Sequence, residues 1–143
     1  MFMKNILVTG GSGKAGRATI KLLLEKNYNV FNVDFVNNPE LDVPFTKVDL
    51  VDFGDAMEVV SEIDDRINGI DAVIHQAAIP ASGLEANHKT FRANTLSTYN
   101  IFQASKVMKI NNIVKKTAPN GPLKTNFGSS FEKPNSLKNL LLK

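Results

Sequence analysis

The residues with the clearest chemical potential lie near the start of the chain, where glycines follow an apolar run. Residues 9–16 read Thr-Gly-Gly-Ser-Gly-Lys-Ala-Gly, and they come directly after Ile6, Leu7 and Val8. Apolar residues at helical spacing follow them. A strand, a glycine-rich turn and a helix in this order aim the free N–H groups of the first helical turn at a phosphate. The pattern therefore predicts a pyrophosphate site, with an ordinary strand-to-helix turn as the alternative.

A carboxylate at the end of the next predicted strand supplies the second half of such a site. The strand covers residues 29–34 and ends in Asp34, which lies 18 residues beyond Gly16. In dinucleotide-binding folds an acid about 20 residues after the glycines accepts hydrogen bonds from the adenosine ribose. Because a carboxylate repels a 2′-phosphate, Asp34 favours NAD over NADP, although Lys14 and Arg17 are close enough to soften that preference. The alternative is an aspartate that only caps the turn after its strand.

Strands and helices alternate in the elements that must position these residues. Residues 45–50 read as a third strand, and residues 71–78 as a fourth strand that breaks into a loop of small residues. The helix predicted between them covers residues 53–63. Its expected apolar face consists of Phe53, Met57, Val60 and Ile63. This alternation predicts an α/β fold, a Rossmann-like doubly wound parallel sheet with helices on both faces. Ligands of such sheets bind beyond the carboxyl ends of the strands.

In this order the motifs resemble the N-terminal half of an extended short-chain dehydrogenase/reductase, and within that group the NAD-dependent epimerase/dehydratase family. The likeness covers roughly residues 3–114 and rests on five separated motifs: the loop at 9–16, Asp34, Asp49-Leu50, the His75-Gln76-Ala77-Ala78 segment and the helix at 94–102. It implies NAD as the cofactor, with the glycines at the pyrophosphate, Asp34 at the adenosine ribose and Asp49-Leu50 at the adenine. The cofactor-binding residues it implies are Gly10, Gly13, Lys14, Ala15, Gly16, Asp34, Asp49, Leu50, Ala77 and Ala78. Asn94 matches the helix asparagine of the family's catalytic group.

The chain departs from the family at the catalytic acid/base, a Tyr-x-x-x-Lys pair. Of its two tyrosines, Tyr28 is followed four residues later by Asn32, and Tyr99 by Gln103. The pair Ser129-Ser130 lies 15 residues past Val114, too far to be the family's serine motif. No catalytic residue besides Asn94 is predicted, and we expect the isolated chain to lack activity.

Charge divides the chain into two regions. Residues 1–114 hold 11 Lys/Arg and 13 Asp/Glu, whereas residues 115–143 hold 6 Lys and 1 Glu. We expect a dinucleotide-binding domain at 1–114 and a basic, weakly apolar tail at 115–143 that is mobile or loosely docked. The change of character after Val114 suggests a sheet truncated after about five strands, by natural truncation or by a shifted reading frame.

Other classes of protein fit the composition poorly. The chain has no cysteine, which excludes disulfides and thiolate metal sites and makes a reducing cytoplasm its natural location. No apolar run reaches the roughly 18 residues of a membrane span. No metal site is predicted, because His75 at the end of a strand reads as a packed core residue. The six lysines of the tail make a weak footprint for nucleic acid beside a net-acidic body.

The functional hypothesis is the NAD-binding part of an epimerase/dehydratase that acts on a nucleotide sugar or a related carbonyl compound. The alternative is a non-catalytic dinucleotide-binding or sensing module. Val107 and Met108 read most simply as helix core, yet residues 84–110 carry more apolar side chains than one sheet face can cover. We therefore expect a homodimer through that region.

Overall fold

The computed structural model of the chain describes residues 4–61, 69–81 and 83–115. Within these ranges the elements follow one another as strand, helix, strand, strand, helix, strand, helix and strand. They are β1 (Asn5–Thr9), α1 (Lys14–Glu25), β2 (Asn29–Asp34), β3 (Phe45–Lys47), α2 (Phe53–Ser61), β4 (Ala72–His75), α3 (Asn87–Val107) and β5 (Asn112–Lys115). The predicted tail at 115–143 lies outside the described residues except for Lys115.

The five strands form one parallel sheet in the order β3-β2-β1-β4-β5. The chain winds outward from β1 to β3 and then returns to the other side of β1 to add β4. This return makes a topological switch between β1 and β4, and the carboxyl ends of strands at such a switch border the ligand crevice of open α/β sheets. The predicted Rossmann-like, doubly wound sheet is confirmed.

Successive side chains of β1 point to opposite faces of the sheet, so the core is divided between the two faces. Ile6 and Val8 pack with Ile20 and Leu23 of α1. Leu7 points the other way, into the larger cluster formed with α2 and α3. Because helices cover both faces, all five residues of β1 are buried, and the central strand fixes the glycine loop that follows it.

Three sequence-based expectations about the elements need correction. β3 ends at Lys47 rather than at residue 50, because Asp49 already lies in a turn closed by the Asp52 N–H to Asp49 O bond at 2.8 Å. Phe53 is exposed, since it stands at the first position of α2 and the buried residues begin one turn later, at Ala56. The core assignment of Val107 and Met108 is wrong: both are exposed at the end of α3. Ile63 lies outside the described residues.

Candidate functional site: a cleft at the carboxyl edge of the sheet

A cleft of about 920 Å³ opens where β1, β2 and β4 end. Its lining comes from the glycine loop, from the segments that follow β2, β3 and β4, and from α3. The eleven residues singled out from the sequence all line it: Gly10, Gly13, Lys14, Ala15, Gly16, Asp34, Asp49, Leu50, Ala77, Ala78 and Asn94. Five segments separated along the chain thus meet in one place.

Three of the four glycines at residues 9–16, namely Gly10, Gly13 and Gly16, differ in their surroundings. Gly10 has φ +71°, and a Cβ there would lie 2.6 Å from the backbone N of Ala77. A Cβ on Gly16 would overlap Gly10 O and the backbone of Gly11, so the first turn of α1 packs directly on the loop. Gly13 is exposed, and its nearest neighbour would be 3.4 Å away. The loop is therefore tight on its protein side and open on its cleft side, as a backbone that binds a phosphate requires.

Asp34 is oriented by the loop that it faces. Its Oδ2 accepts a hydrogen bond from the Ser12 N–H at 3.1 Å, and its Oδ1 accepts one from the Phe35 N–H at 2.7 Å. The capping interpretation therefore holds at Phe35, but the bond to Ser12 also ties the carboxylate to the glycine loop. Each oxygen keeps acceptor capacity, because an ionised carboxylate offers about four acceptor sites.

Next to this contact lies Asn32, a residue that the sequence analysis missed. Asn32 is 1% exposed, and its Nδ2 donates to Ser12 Oγ at 3.1 Å. It lies two residues before Asp34, on the same face of β2, and its hydrogen bond stabilises the loop at Ser12. A polar residue between the apolar Phe31 and Val33 of β2 was the available signal.

Asp49 and Leu50, which follow β3, line the cleft on the side away from β4. Asp49 Oδ1 accepts the Val51 N–H at 3.0 Å, so part of this carboxylate stabilises its own turn. Leu50 is buried, and its carbonyl accepts Asn100 Nδ2 from α3 at 2.9 Å. The same Asn100 amide reaches Val51 O at 3.0 Å. The wall is therefore anchored to the long helix, by an asparagine that the sequence analysis did not single out.

At the end of β4, a buried network surrounds His75. Thr9 Oγ1 lies 2.7 Å from His75 Nδ1 and accepts the Ala77 N–H at 3.2 Å. On the other side of the ring, His75 Nε2 lies 3.2 Å from Thr98 Oγ1. Thr98 uses its proton toward Asn94 O at 2.7 Å, so its oxygen accepts from Nε2–H. Nδ1 is then the acceptor for the Thr9 hydroxyl.

Burial, and secondly the charge of Lys115, lower the pKa of His75 from 6.5 to about 4. Lys115 Nζ donates to the same Thr98 oxygen at 2.7 Å, and partial burial lowers the pKa of this lysine as well. Since both ring nitrogens are engaged and the ring is neutral at pH 7, His75 holds the cleft wall together. The predicted core role of His75 is confirmed.

Asn94 lines the cleft, but its side-chain amide is occupied by the loop after β4. Its Oδ1 accepts the Ile79 N–H at 2.8 Å, and its Nδ2 donates to Ile79 O at 3.1 Å. This two-point contact fixes segment 76–80 against α3. In the described structure Asn94 therefore acts on the cleft through the position of that loop.

The cations beside the glycines differ in their partners. Lys14 is exposed in the first turn of α1 and lines the cleft. Arg17, one turn further, forms an ion pair with Glu40, with Nη1 at 3.2 Å from Oε2. Both tyrosines belong to the described part of the chain, and neither Tyr28 nor Tyr99 lines the cleft.

The described ranges (4–61, 69–81 and 83–115) contain no helix long and apolar enough to cross a membrane. Nor do the described residues bring together three or more His, Cys, Asp or Glu side chains that could hold a metal ion.

Comparison with known proteins matches residues 6–118 to the NAD dependent epimerase/dehydratase family. A dihydropteridine reductase of Dictyostelium discoideum is 38% identical over 65 residues, covering 46% of this chain and 26% of that protein. A UDP-glucose 4-epimerase of Schizosaccharomyces pombe is 30% identical over 123 residues. The match covers 76% of this chain and 33% of the epimerase. Among solved structures, UDP-glucose 4-epimerase from Bifidobacterium longum in complex with NAD+ and UDP superposes with a TM-score of 0.68 at 26% identity. That superposition covers 80% of this chain and 37% of the solved one. The chain spans about a quarter of the length of the first of these two relatives and a third of the length of the second.

Proposed function

The chain belongs to the NAD dependent epimerase/dehydratase family, and on that premise we propose that its cleft binds NAD, in preference to NADP, through the adenosine and pyrophosphate half of the cofactor. The observation that carries this proposal is the bond between the Ser12 N–H and Asp34 Oδ2. It joins a phosphate-type glycine loop and a ribose-type carboxylate in one cleft.

The residues present fit such a cofactor. The loop is closed on its protein side at Gly10 and Gly16 and leaves space beside Gly13. We assign the glycine loop to the pyrophosphate, where backbone N–H groups and the N-terminus of α1 stabilise negative charge. The acceptor capacity that remains on Asp34 suits the two hydroxyls of the adenosine ribose. Its negative charge disfavours a 2′-phosphate.

We assign the remaining cleft residues by their position. Asp49 and Leu50 border the adenine side, and Ala77 and Ala78 lie on the opposite wall, beside the middle of the cofactor. Asn94 holds that second wall in place through Ile79. When bound, NAD supplies a hydride acceptor at its nicotinamide ring. The groups of this chain bind and orient the cofactor's other half.

For the whole protein we propose the family's chemistry on a nucleotide sugar or a related carbonyl compound. Relatives include both epimerases and a reductase, so the shared part of the chain is the cofactor site rather than a substrate pocket. The Tyr-x-x-x-Lys pair is absent from this sequence. General acid–base help is worth roughly 10²–10⁴-fold in rate, and we expect no turnover by the isolated chain.

A second candidate function is a non-catalytic dinucleotide-binding or sensing module. The observation that favours it is the position of the two tyrosines, neither of which lines the cleft. Assays with NAD over a panel of nucleotide sugars, with a protein-free blank as reference, test the expectation of no turnover that both candidates share. Turnover by the pure chain would contradict both our expectation of inactivity and the sensing alternative.

Calorimetric titration with NAD and, separately, with NADP tests the binding proposal. We expect binding of NAD and weaker binding of NADP. Asp34→Ala should weaken NAD binding and reduce the preference, because it removes both the ribose acceptor and the charge. Asp42→Ala is the matched control, since Asp42 is exposed and does not line the cleft. Equal affinity of the unaltered chain for the two cofactors would refute the role assigned to Asp34.

A further inference from the structure

The loop that follows β2 carries a charge outside the residues assigned to the cofactor. Residues 35–39 line the cleft directly after Asp34, and Glu40 comes next. Glu40 Oε2 lies 3.2 Å from Nη1 of Arg17 on α1. The pair therefore connects the first turns of α1 to the loop that follows the ribose-type carboxylate.

Arg17 is well placed to influence the choice between the two cofactors. It follows Gly16 directly, and its backbone N–H bonds to Gly13 O at 2.9 Å, so it belongs to the helical turn that packs on the glycine loop. NADP differs from NAD only by a phosphate on the adenosine ribose, and a guanidinium is the side chain that binds phosphate best, through two parallel hydrogen bonds. In this structure the guanidinium is already paired with a carboxylate.

We propose that Glu40 is a second determinant of cofactor choice, acting through Arg17. By holding the guanidinium, Glu40 withdraws the cation that a 2′-phosphate requires. This inference rests on the proposed function, because it concerns the same cofactor site. It assigns a role to a residue that lies outside the glycine and aspartate pattern.

The exposure of the ion pair sets the size of the effect. The side chains of Arg17 and Glu40 are 40% and 74% exposed, and exposed pairs of this kind are weak and screened by salt. Arg17 is therefore released readily once Glu40 is neutralised. We expect Glu40→Gln to raise the affinity for NADP about threefold to fivefold, the scale of a surface ion pair. Glu40→Lys should raise it further, while the affinity for NAD stays within about twofold.

Titration of both cofactors into a small set of variants tests the proposal. Glu25→Gln is the matched control, because Glu25 is exposed at the end of α1 and does not line the cleft. The gain of Glu40→Gln in NADP affinity should vanish in an Arg17→Gln background and persist in a Lys14→Gln background. It should also shrink at 0.5 M salt, where charges on the surface are screened.

The outcomes separate this inference from the proposed function. If the unaltered chain binds neither dinucleotide, the proposed function fails and this inference fails with it. If NAD binds but the NADP affinity of Glu40→Gln and Glu40→Lys equals that of the control, only the role of Glu40 is refuted. A gain of the same size without Arg17 would show that the charge of Glu40 acts alone, and it would overturn the mechanism through the guanidinium.

Discussion

At the scale of single residues, the glycine loop shows that identical residue types can serve different purposes. Gly16 is required by protein atoms, because a Cβ there would overlap the backbone of Gly10 and Gly11. Gly13 has only Gly10 O near its missing Cβ, at 3.4 Å. If Gly13 is needed, the reason lies in the ligand. This difference can be measured, because folding and binding respond separately.

We therefore predict that Gly16→Ala lowers the free energy of unfolding by about 1–3 kcal/mol, the usual cost of forcing atoms into a filled space. Gly13→Ala should leave stability nearly unchanged while weakening NAD binding. Chemical denaturation followed by titration with NAD checks both variants. A Gly13→Ala chain that binds NAD as well as the unaltered chain would show that the pyrophosphate does not approach this position.

His75 provides a prediction about pH. Its pKa is about 4 in the folded chain, against 6.5 when exposed, because of burial and then the charge of Lys115. As pH falls from about 6.5 to 4, the unfolded chain takes up a proton that the folded chain refuses, so the free energy of unfolding decreases. The full loss is on the order of 3 kcal/mol.

Denaturation at pH 7.5, 6.5, 5.5 and 5.0 checks this slope, because most carboxylates titrate below that range. His88→Gln is the control, since His88 is exposed on α3 and its loss should leave the slope in place, whereas His75→Gln should flatten it. NMR of the imidazole nitrogens in the unaltered chain gives a second measurement. A His75 ring that is protonated at pH 5.5 would contradict the prediction.

At the scale of elements, α3 organises the cleft by holding the loops that leave the sheet. Asn94 binds both backbone groups of Ile79, and Asn100 binds the carbonyls of Leu50 and Val51. One helix thus ties the segments after β3 and β4, which belong to opposite walls. Loops held by the side-chain amides of the buried Asn100 and the partly buried Asn94 can position a ligand without moving strands, because each bond is directional and shielded from water at least in part.

The contact of Asn94 with Ile79 predicts that Asn94→Ala frees the loop after β4. We expect a loss of about 1–3 kcal/mol in stability, from two broken bonds to a partly buried backbone, and weaker NAD binding. Asn94→Asp should also lose stability, since its carboxylate still accepts the Ile79 N–H but places a second acceptor against the Ile79 carbonyl, where the amide donates. Hydrogen exchange of the Ile79 amide reports on this contact directly and should accelerate in Asn94→Ala. Asn87→Ala is the control and should leave it unchanged, because Asn87 is exposed on the same helix. Unchanged exchange at Ile79 would refute the positioning role.

At the scale of the whole molecule, α3 exposes large apolar side chains that no other described element covers. Phe91 and Tyr99 are 61% and 59% exposed, and eight residues apart they share one side of the helix. Large apolar side chains on an exposed helical face are typical of an interface, and a two-fold pair is the commonest way to cover them.

We predict that the chain forms a homodimer through residues 84–110. Light scattering over a range of concentrations should give a dimer mass, and Phe91→Glu with Tyr99→Glu should shift it to the monomer while NAD binding survives. Leu22→Glu is the control, because Leu22 is exposed on α1, outside that range. A monomer at high concentration would contradict the prediction.

The sequence by itself determined the elements that depend on local chemistry. Gly10 follows an apolar run and Gly16 lies in the first turn of the helix that comes next. Glycine is needed at both positions because of the close approach of backbone, and at Gly10 also because of its positive φ. The parallel sheet and the common edge of its strands followed from the alternation of strands and helices. The glycines and Asp34 could therefore be selected from the residue pattern, while the other site residues were implied by the family resemblance. The experiments above test their roles toward NAD.

Only the tertiary structure decided how those residues are supported and which charges are free. The bonds of Asn32 to Ser12, of Asn94 to Ile79 and of Asn100 to Leu50 join residues 15 to 50 positions apart, and no local pattern encodes such pairs. The same holds for Arg17, a free cation in the sequence that the fold places against Glu40. Side-chain amides and ions can take many partners, and the choice among them is made by packing. Packing brings distant segments together only when the whole sheet has formed.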